Sequence, residues 1–386
     1  MLVKWIRLLT LGAVSLVALS LVATRGVTAE PEKVDVYVNG DGYRLYRIPS
    51  LICTPQGTLL AFCEGRDGND QSATDMVLKR SLDGGKMWLP MQVLVKAVPE
   101  AAMDPTAVID RVTGTIVLVY DRWPAIPKGE KLGEHNRTPG LGRDSITTWI
   151  MTSKDEGVTW SKPVDITAMT KQSEWVETGH GPGLGIQTRS GRLVIPCYET
   201  KPVGGKWGIS WNFIIYSDDH GKTWQMSDNE VGPNVNESQV VELTDGSLLL
   251  NMRTGQGKDC RVGATSKDDG KTWSKLFDIP ELPDAGCQAS LLRYTWPDLD
   301  GGKSRILYSK GTTPNRRVGT VRLSYDEAKT WPVAKVVCEG YFGYSCLTAM
   351  PDGTIGCLFE TDGCRKIAYT DFSLEWLTDG KDSSKR

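Results

Sequence analysis

SLDGGKMW (81–88), SKDEGVTW (153–160), SDDHGKTW (217–224), SKDDGKTW (266–273) and SYDEAKTW (324–331) are versions of one box, Ser-x-Asp-x-Gly-x-Thr-Trp. An Asp that bonds neighbouring backbone amides, a Gly free to take positive φ and a Trp that folds back over the turn make a self-contained hairpin corner. A corner repeated along a chain implies that a supersecondary unit is repeated with it.

A second repeat runs out of phase with the first. GTLLAFCEGR from Gly57, GTIVLVYDR from Gly114, GRLVIPCYE from Gly191, GSLLLNMR from Gly246, GKSRILYSK from Gly302 and GTIGCLFE from Gly353 each read as a Gly turn, an apolar strand and a polar strand end. A spacing of roughly 50 to 60 residues suits a four-stranded propeller blade, so the chain is expected to be all-β, a six-bladed β-propeller with box hairpins. The longer second interval holds a Gly- and charge-rich stretch, 128–144, which reads as a loop insertion. The sixth copy ends in TDFSLEW (370–376) without a good box, and the N-terminal VDVYV (34–38) is expected to close the ring beside it.

Composition fits one closed ring. A regular repeat across nearly all of the 386 residues argues against separate domains. Gly is abundant, and helix-period stretches are scarce. A net charge of -2 and the lack of any Lys/Arg run give no footprint for nucleic acid or an anionic membrane, and a monomer is expected. The N-terminus carries Lys4 and Arg7, an apolar run over 8–23 and small residues ending at Ala29. That pattern is a secretory signal, so 1–29 is expected to be removed and 30–386 to form the propeller, periplasmic or secreted and without a membrane anchor.

The nine cysteines leave at least one unpaired, and Cys63, Cys197 and Cys357 fall inside apolar strands, where a thiol acts as a small hydrophobe. The three histidines, His135, His180 and His220, share no zinc spacing, so neither a metal nor another cofactor is expected. GHGPGLG (179–185) never places its glycines at dinucleotide-site spacing and reads as a turn.

Homologous strands of a propeller run in the same sense, so their polar ends gather at one mouth around the axis. Arg66, Arg122, Glu199, Arg253 and Glu360 are therefore candidates for a shared pocket.

With YRIP (46–49) ahead of the first repeated strand, the boxed pattern resembles the exo-α-sialidases (neuraminidases) of the bacterial and animal type, glycoside hydrolase family 33-like. Further segments carry the resemblance: 65–88 with DMVLKRS, GPGLGIQTRSGRLVIP, NESQVVELTDGSLLLNMR, NRRVGTVRLSYD and GYSCLTAMPDGTIGCLFE. It covers essentially the whole chain after the leader.

The resemblance implies an enzyme that removes terminal sialic acid from glycoproteins, glycolipids and oligosaccharides with retention, through a tyrosyl-enzyme intermediate. The substrate bears a carboxylate on its anomeric carbon, which a fixed cluster of guanidinium groups can grip. By resemblance that cluster is Arg47, Arg253 and Arg316, with Arg317 the alternative for the third place. The same carboxylate would repel an Asp or Glu nucleophile, and the family uses Tyr, here Tyr344. Glu237 matches the base beside it, and Asp70 matches the acid/base, with Asp67 and Asp75 near enough to compete. Arg66 matches the arginine that approaches the C4 side of the sugar.

Met87 replaces Thr in the first box, Ala328 replaces Gly in the last, and Asp104-Pro105 stands where the family more often has Asn-Pro. Spacing does not choose among Trp123, Trp149, Trp207, Trp211 and Trp296 for the wall of an N-acetyl pocket. The alternatives are a glycosidase for another nonulosonic acid, an intramolecular trans-sialidase, or a carbohydrate-binding propeller without hydrolase activity. The last would keep the boxes and lose the arginines.

Overall fold

A computed structural model describes residues 30–383 apart from 71, 126–137, 204–205, 256–258, 285, 300–301 and 313–314. The expected signal segment and most of the expected insertion lie outside the described residues.

Each Gly turn opens a strand, as the repeat requires: Leu59–Arg66, Thr115–Trp123, Leu193–Val203, Leu248–Thr254, Arg305–Gly311 and Ile355–Thr361. Each of these pairs antiparallel with an inner strand before it and an outer strand after it, and in five repeats the outer strand runs into a box. The inner strands include Leu45–Cys53, Ala101–Asp110, Glu177–His180, Val235–Glu242, Ser290–Thr295 and Ser345–Ala349. Each packs beside the inner strand of the next repeat, and Ser345–Ala349 returns to Leu45–Cys53, which closes the propeller. Lys33–Val38 pairs antiparallel with Lys366–Phe372, so the N-terminus supplies the outermost strand of the last sheet, as expected.

The sheet count differs from six. Backbone hydrogen bonds give five sheets: three of four strands, one of five and one of nine. The nine-stranded sheet carries the first two repeats, joined at one parallel bridge, Thr74 to Ala101. A buried carboxylate explains the join. Asp75 accepts the Ala97 N–H at 2.8 Å, and Thr74 N–H donates to Glu100 O at 3.2 Å, which pins the entry of the second repeat against the first.

The boxes fold as read, and they also reach the neighbouring repeat. In the third box Asp219 accepts from Ser217 Oγ at 2.8 Å, Thr223 N at 2.9 Å and Thr223 Oγ1 at 2.7 Å, while Trp224 Nε1 donates to Gly221 O at 3.2 Å. Trp88 stands edge-on to Tyr369 at 5.5 Å, and Trp160 to Phe62 at 5.7 Å, in each case a residue of the adjacent repeat. A Cβ at Gly157 would lie 2.4 Å from Leu60 of the preceding repeat, so that glycine is needed for the approach as well as for φ +74. Ala328 holds the equivalent place at φ 62, a strained conformation for a residue with a Cβ.

All nine cysteines are free thiols, and Cys63, Cys197 and Cys357 are buried in the apolar layers as expected.

Candidate active site

The inner strands begin irregularly, and the irregularities aim side chains into the mouth. Pairing slips between Arg47 and Ser50, between Met103 and Thr106, and between Val235 and Ser238. A bulge of this kind breaks the strict in-and-out alternation and re-aims the residue at its head. Ile48 takes φ 60 and Asp104 φ 54, each directly before a proline. A β-branched residue at positive φ is an outlier that the surrounding structure must hold in place. Glu360 does so here, accepting the Ile48 N–H at 3.0 Å.

Tyr344 is the centre of the group, with only 6% of its surface exposed. Its hydroxyl donates to a carboxylate oxygen of Glu237 and accepts from Arg253 Nη1 at 3.2 Å. Arg253 also meets Glu237 at 2.7 Å. The Arg47 and Arg316 guanidinium carbons each lie 5.5 Å from the centre of the Tyr344 ring. Three guanidinium groups thus surround one phenol. Burial, and then the Glu237 charge, push the Tyr344 hydroxyl well above its ordinary value, against the pull of Arg253 and Arg47. The phenol keeps its proton, and that proton points at Glu237.

Arg47 and Arg66 are each held by a buried carboxylate. Glu360 accepts Arg47 Nε at 2.6 Å and, through its other oxygen, the Tyr344 N–H at 3.1 Å, so one carboxylate fixes both an arginine and the Tyr344 backbone. Glu64 accepts Arg66 Nε at 2.5 Å and the Asp104 N–H at 2.8 Å. Arg316 is fastened by Nη2 to Gly286 O at 3.0 Å.

Asp70 stands above this floor with 71% of its side chain exposed, ion-paired to Arg66 and 3.5 Å from Arg47 Nη1. Burial pushes its carboxyl up, but Arg66 and then Arg47 outweigh that and hold it below its ordinary value. Its two competitors lie elsewhere. Asp75 is buried and occupied by Tyr43 Oη at 2.6 Å, Lys96 and the Ala97 amide, and Asp67 sits exposed in the turn.

Residues 57–357 match the BNR repeat-like domain family. Sialidase-2 of Cricetulus griseus is 30% identical over 375 residues, which are 89% of this chain and 96% of that protein. The chain belongs to the BNR-repeat sialidase family. A sialidase of Micromonospora viridifaciens is 36% identical over 360 residues, 89% of this chain, and the chain spans 54% of that relative's length. The solved structure of the Hadza microbial sialidase Hz136 superposes with a TM-score of 0.81 at 30% identity, covering 89% of this chain and 69% of that one.

Not every residue expected at the shared mouth gathers there. Arg66, Arg253 and Glu360 join the group around Tyr344. Arg122 instead pairs with Glu100 and stacks on Trp149 at 5.6 Å, and Glu199 is buried 3.6 Å from Lys201. Arg317 points outward from the strand that Arg316 precedes. Trp296 is sandwiched between Arg189 at 5.1 Å and Arg293 at 4.7 Å, and lines a cavity of about 470 Å³ with Cys53, Ile109 and Glu242 at the far ends of the inner strands. That cavity holds none of the groups around Tyr344.

Sequence reasoning missed three residues of the floor. Glu64 could have been found from its place two residues before Arg66 on the same strand face. Asp104 was visible only as an odd Asp-Pro. Tyr198, whose hydroxyl lies 3.4 Å from Asp104, carried no signal.

Proposed function

We propose that the chain is an exo-α-sialidase that releases terminal sialic acid from sialylated glycans with retained configuration, through a covalent tyrosyl-enzyme intermediate. The observation that carries this reading is the buried Tyr344 hydroxyl donating to Glu237 amid three guanidinium groups.

Arg47, Arg253 and Arg316 grip the substrate carboxylate, which places the anomeric carbon over Tyr344. Glu237 takes the phenol proton as the oxygen attacks, while Asp70 protonates the departing glycosidic oxygen. In the second half Asp70 takes a proton from water, the water displaces Tyr344, and Glu237 returns the proton to the phenol. Asp70 is depressed by Arg66 and Arg47 beside it; a substrate carboxylate offsets those cations and raises its proton affinity for the first step. Arg66 faces the sugar beside Asp70. We further propose that the chain acts after export, with 1–29 removed, as a monomer.

Proton NMR of the first minutes of sialyllactose hydrolysis tests the mechanism. The α-anomer of free sialic acid should appear before mutarotation, and a β-anomer as first product would refute the double displacement.

A further inference from the structure

Arg317, set aside from the triad, lies in a second concavity. It lines a groove of about 560 Å³ with Lys33, Gly340, Tyr341, Asp362 and Arg365. The backbone explains why consecutive arginines part company: Arg316 takes φ 53 and Val318 φ 57, a kink that turns Arg316 toward Tyr344 and leaves Arg317 exposed outside it.

The groove adjoins the active site through a short run of contacts. Tyr341 Oη lies 3.1 Å from Cys364 Sγ, Cys364 Sγ lies 3.6 Å from Glu360 Oε2, and Glu360 Oε1 accepts from Arg47. Arg47 is in turn 3.5 Å from Asp70, the group that faces the leaving oxygen. Arg317 directly follows Arg316, whose guanidinium faces the Tyr344 ring, so the groove borders the site on the Arg316 side.

Its charge is also distinctive. Among the lining residues Lys33, Arg317 and Arg365 are cationic and Asp362 is anionic, paired with Arg365 at 2.6 Å, and Glu339, exposed on the strand that carries Gly340 and Tyr341, adds a second carboxylate at the edge. The nearby Asp35 is occupied by Lys366 at 2.6 Å. On a chain with a net charge of -2, this is a local excess of cations beside a site built for an anionic sugar.

We propose that this groove is a second anion subsite, which receives a negative group on the aglycone, such as the carboxylate of a penultimate sialic acid in an α2,8-linked glycan. The inference rests on the sialidase reading of the Tyr344 site. Neutral aglycones gain nothing from the groove, so it sets substrate preference rather than chemistry.

The test compares kcat/KM on 3′-sialyllactose, an α2,8-linked disialyllactoside and a sulfated sialyllactoside, for the wild type, Arg317→Glu and Lys33→Glu. Each charge reversal should cost about five- to tenfold on the disialyllactoside and less than about twofold on 3′-sialyllactose, with the gap closing as salt rises. A sulfated substrate that follows the disialyllactoside shows that charge alone is read; one that follows 3′-sialyllactose shows that the groove takes the second sugar. Equal losses on all substrates, or no loss on the disialyllactoside, would overturn the proposal. A wild type that cleaves none of them overturns the sialidase reading instead, and the same ratios measured by equilibrium binding then decide the groove.

Discussion

Asp70→Ala separates the acid from the rest of the site. The carboxylate is 71% exposed and touches only Arg66 and Arg47 among the described side chains, so its removal strands no buried anion. Arg66 keeps Glu64 at 2.5 Å, and Arg47 keeps Glu360 at 2.6 Å. The fold should therefore change by less than about 1 kcal/mol. The guanidinium cluster should also bind a carboxylate no worse, because one competing anion has gone.

The expected damage is to the chemistry, in proportion to how poorly the leaving group departs. A galactose hydroxyl needs its proton, and general acid catalysis is worth about 10² to 10⁴ in rate, or roughly 3 to 5 kcal/mol of barrier. An aryl sialoside with an acidic phenol needs little of that help and should lose less than about tenfold. The measurement is kcat/KM on sialyllactose and on the aryl sialoside, with thermal unfolding alongside, so that a change of slow step does not mask the effect. Equal losses on the two substrates, with an intact fold, would remove Asp70 from the acid role.

Arg66→Gln should move the alkaline limb of the kcat/KM profile on sialyllactose to higher pH. Arg66 is the largest influence holding the Asp70 carboxyl down, so the acid form would persist further up the scale; an unshifted limb would break the link between the two residues. Ala328→Gly should stabilise the fold by roughly 1 kcal/mol or less, measured by urea unfolding, because it relieves φ 62 at a box corner where the other copies use Gly, and a loss of stability would show that the Ala328 methyl packs usefully. His180 is pushed down to about 3 by burial and Asp121, 3.1 Å away, is pushed well up by burial. The His share of stability is present above its ordinary 6.5 and lost as pH falls, the Asp share is present below its ordinary 3.8 and lost as pH rises, and between those values the two slopes oppose each other. Asp121→Asn should therefore make stability fall by about 1.4 kcal/mol per pH unit between pH 6 and 4, and a pH dependence parallel to the wild type would refute the pairing.

What the sequence made legible was whatever repeats or travels with a rigid local motif. The boxes fix the corners because every donor and acceptor of the turn lies within eight residues, as in Ser217 to Trp224. Arg253 was a strand-end candidate, whereas Tyr344 and Glu237 were picked out by the resemblance to the sialidases and not by a local signal. Arg122 and Glu199 misled because both close the repeated motif in the sequence: Arg122 does lie near its strand end but pairs with Glu100, whereas the strand of Glu199 runs on to Val203 and leaves that carboxylate beside Lys201. A repeat pattern gives the position along a strand and is silent about the partner across the gap. The fusion of two sheets at Thr74 and Ala101 escaped notice likewise, since it depends on where Asp75 finds its amides.

The active site is made from departures from the repeat. Arg47, Asp104 and Glu237 stand at breaks in inner-strand pairing, and Arg316 stands at a positive φ before its strand begins. A regular strand start would alternate side chains between neighbouring sheets and leave the mouth lined by whatever the period supplied. Breaking register at successive inner strands instead turns several heads toward one axis, and buried carboxylates hold the resulting strain: Glu360 on the Ile48 amide and Glu64 on the Asp104 amide. These two acids are as necessary to the geometry as the arginines they face, because each fixes a guanidinium and a strained backbone at once. Removing either charge should loosen a side chain and its strand together, because the carboxylate that orients each guanidinium also accepts the amide of the strained residue beside it.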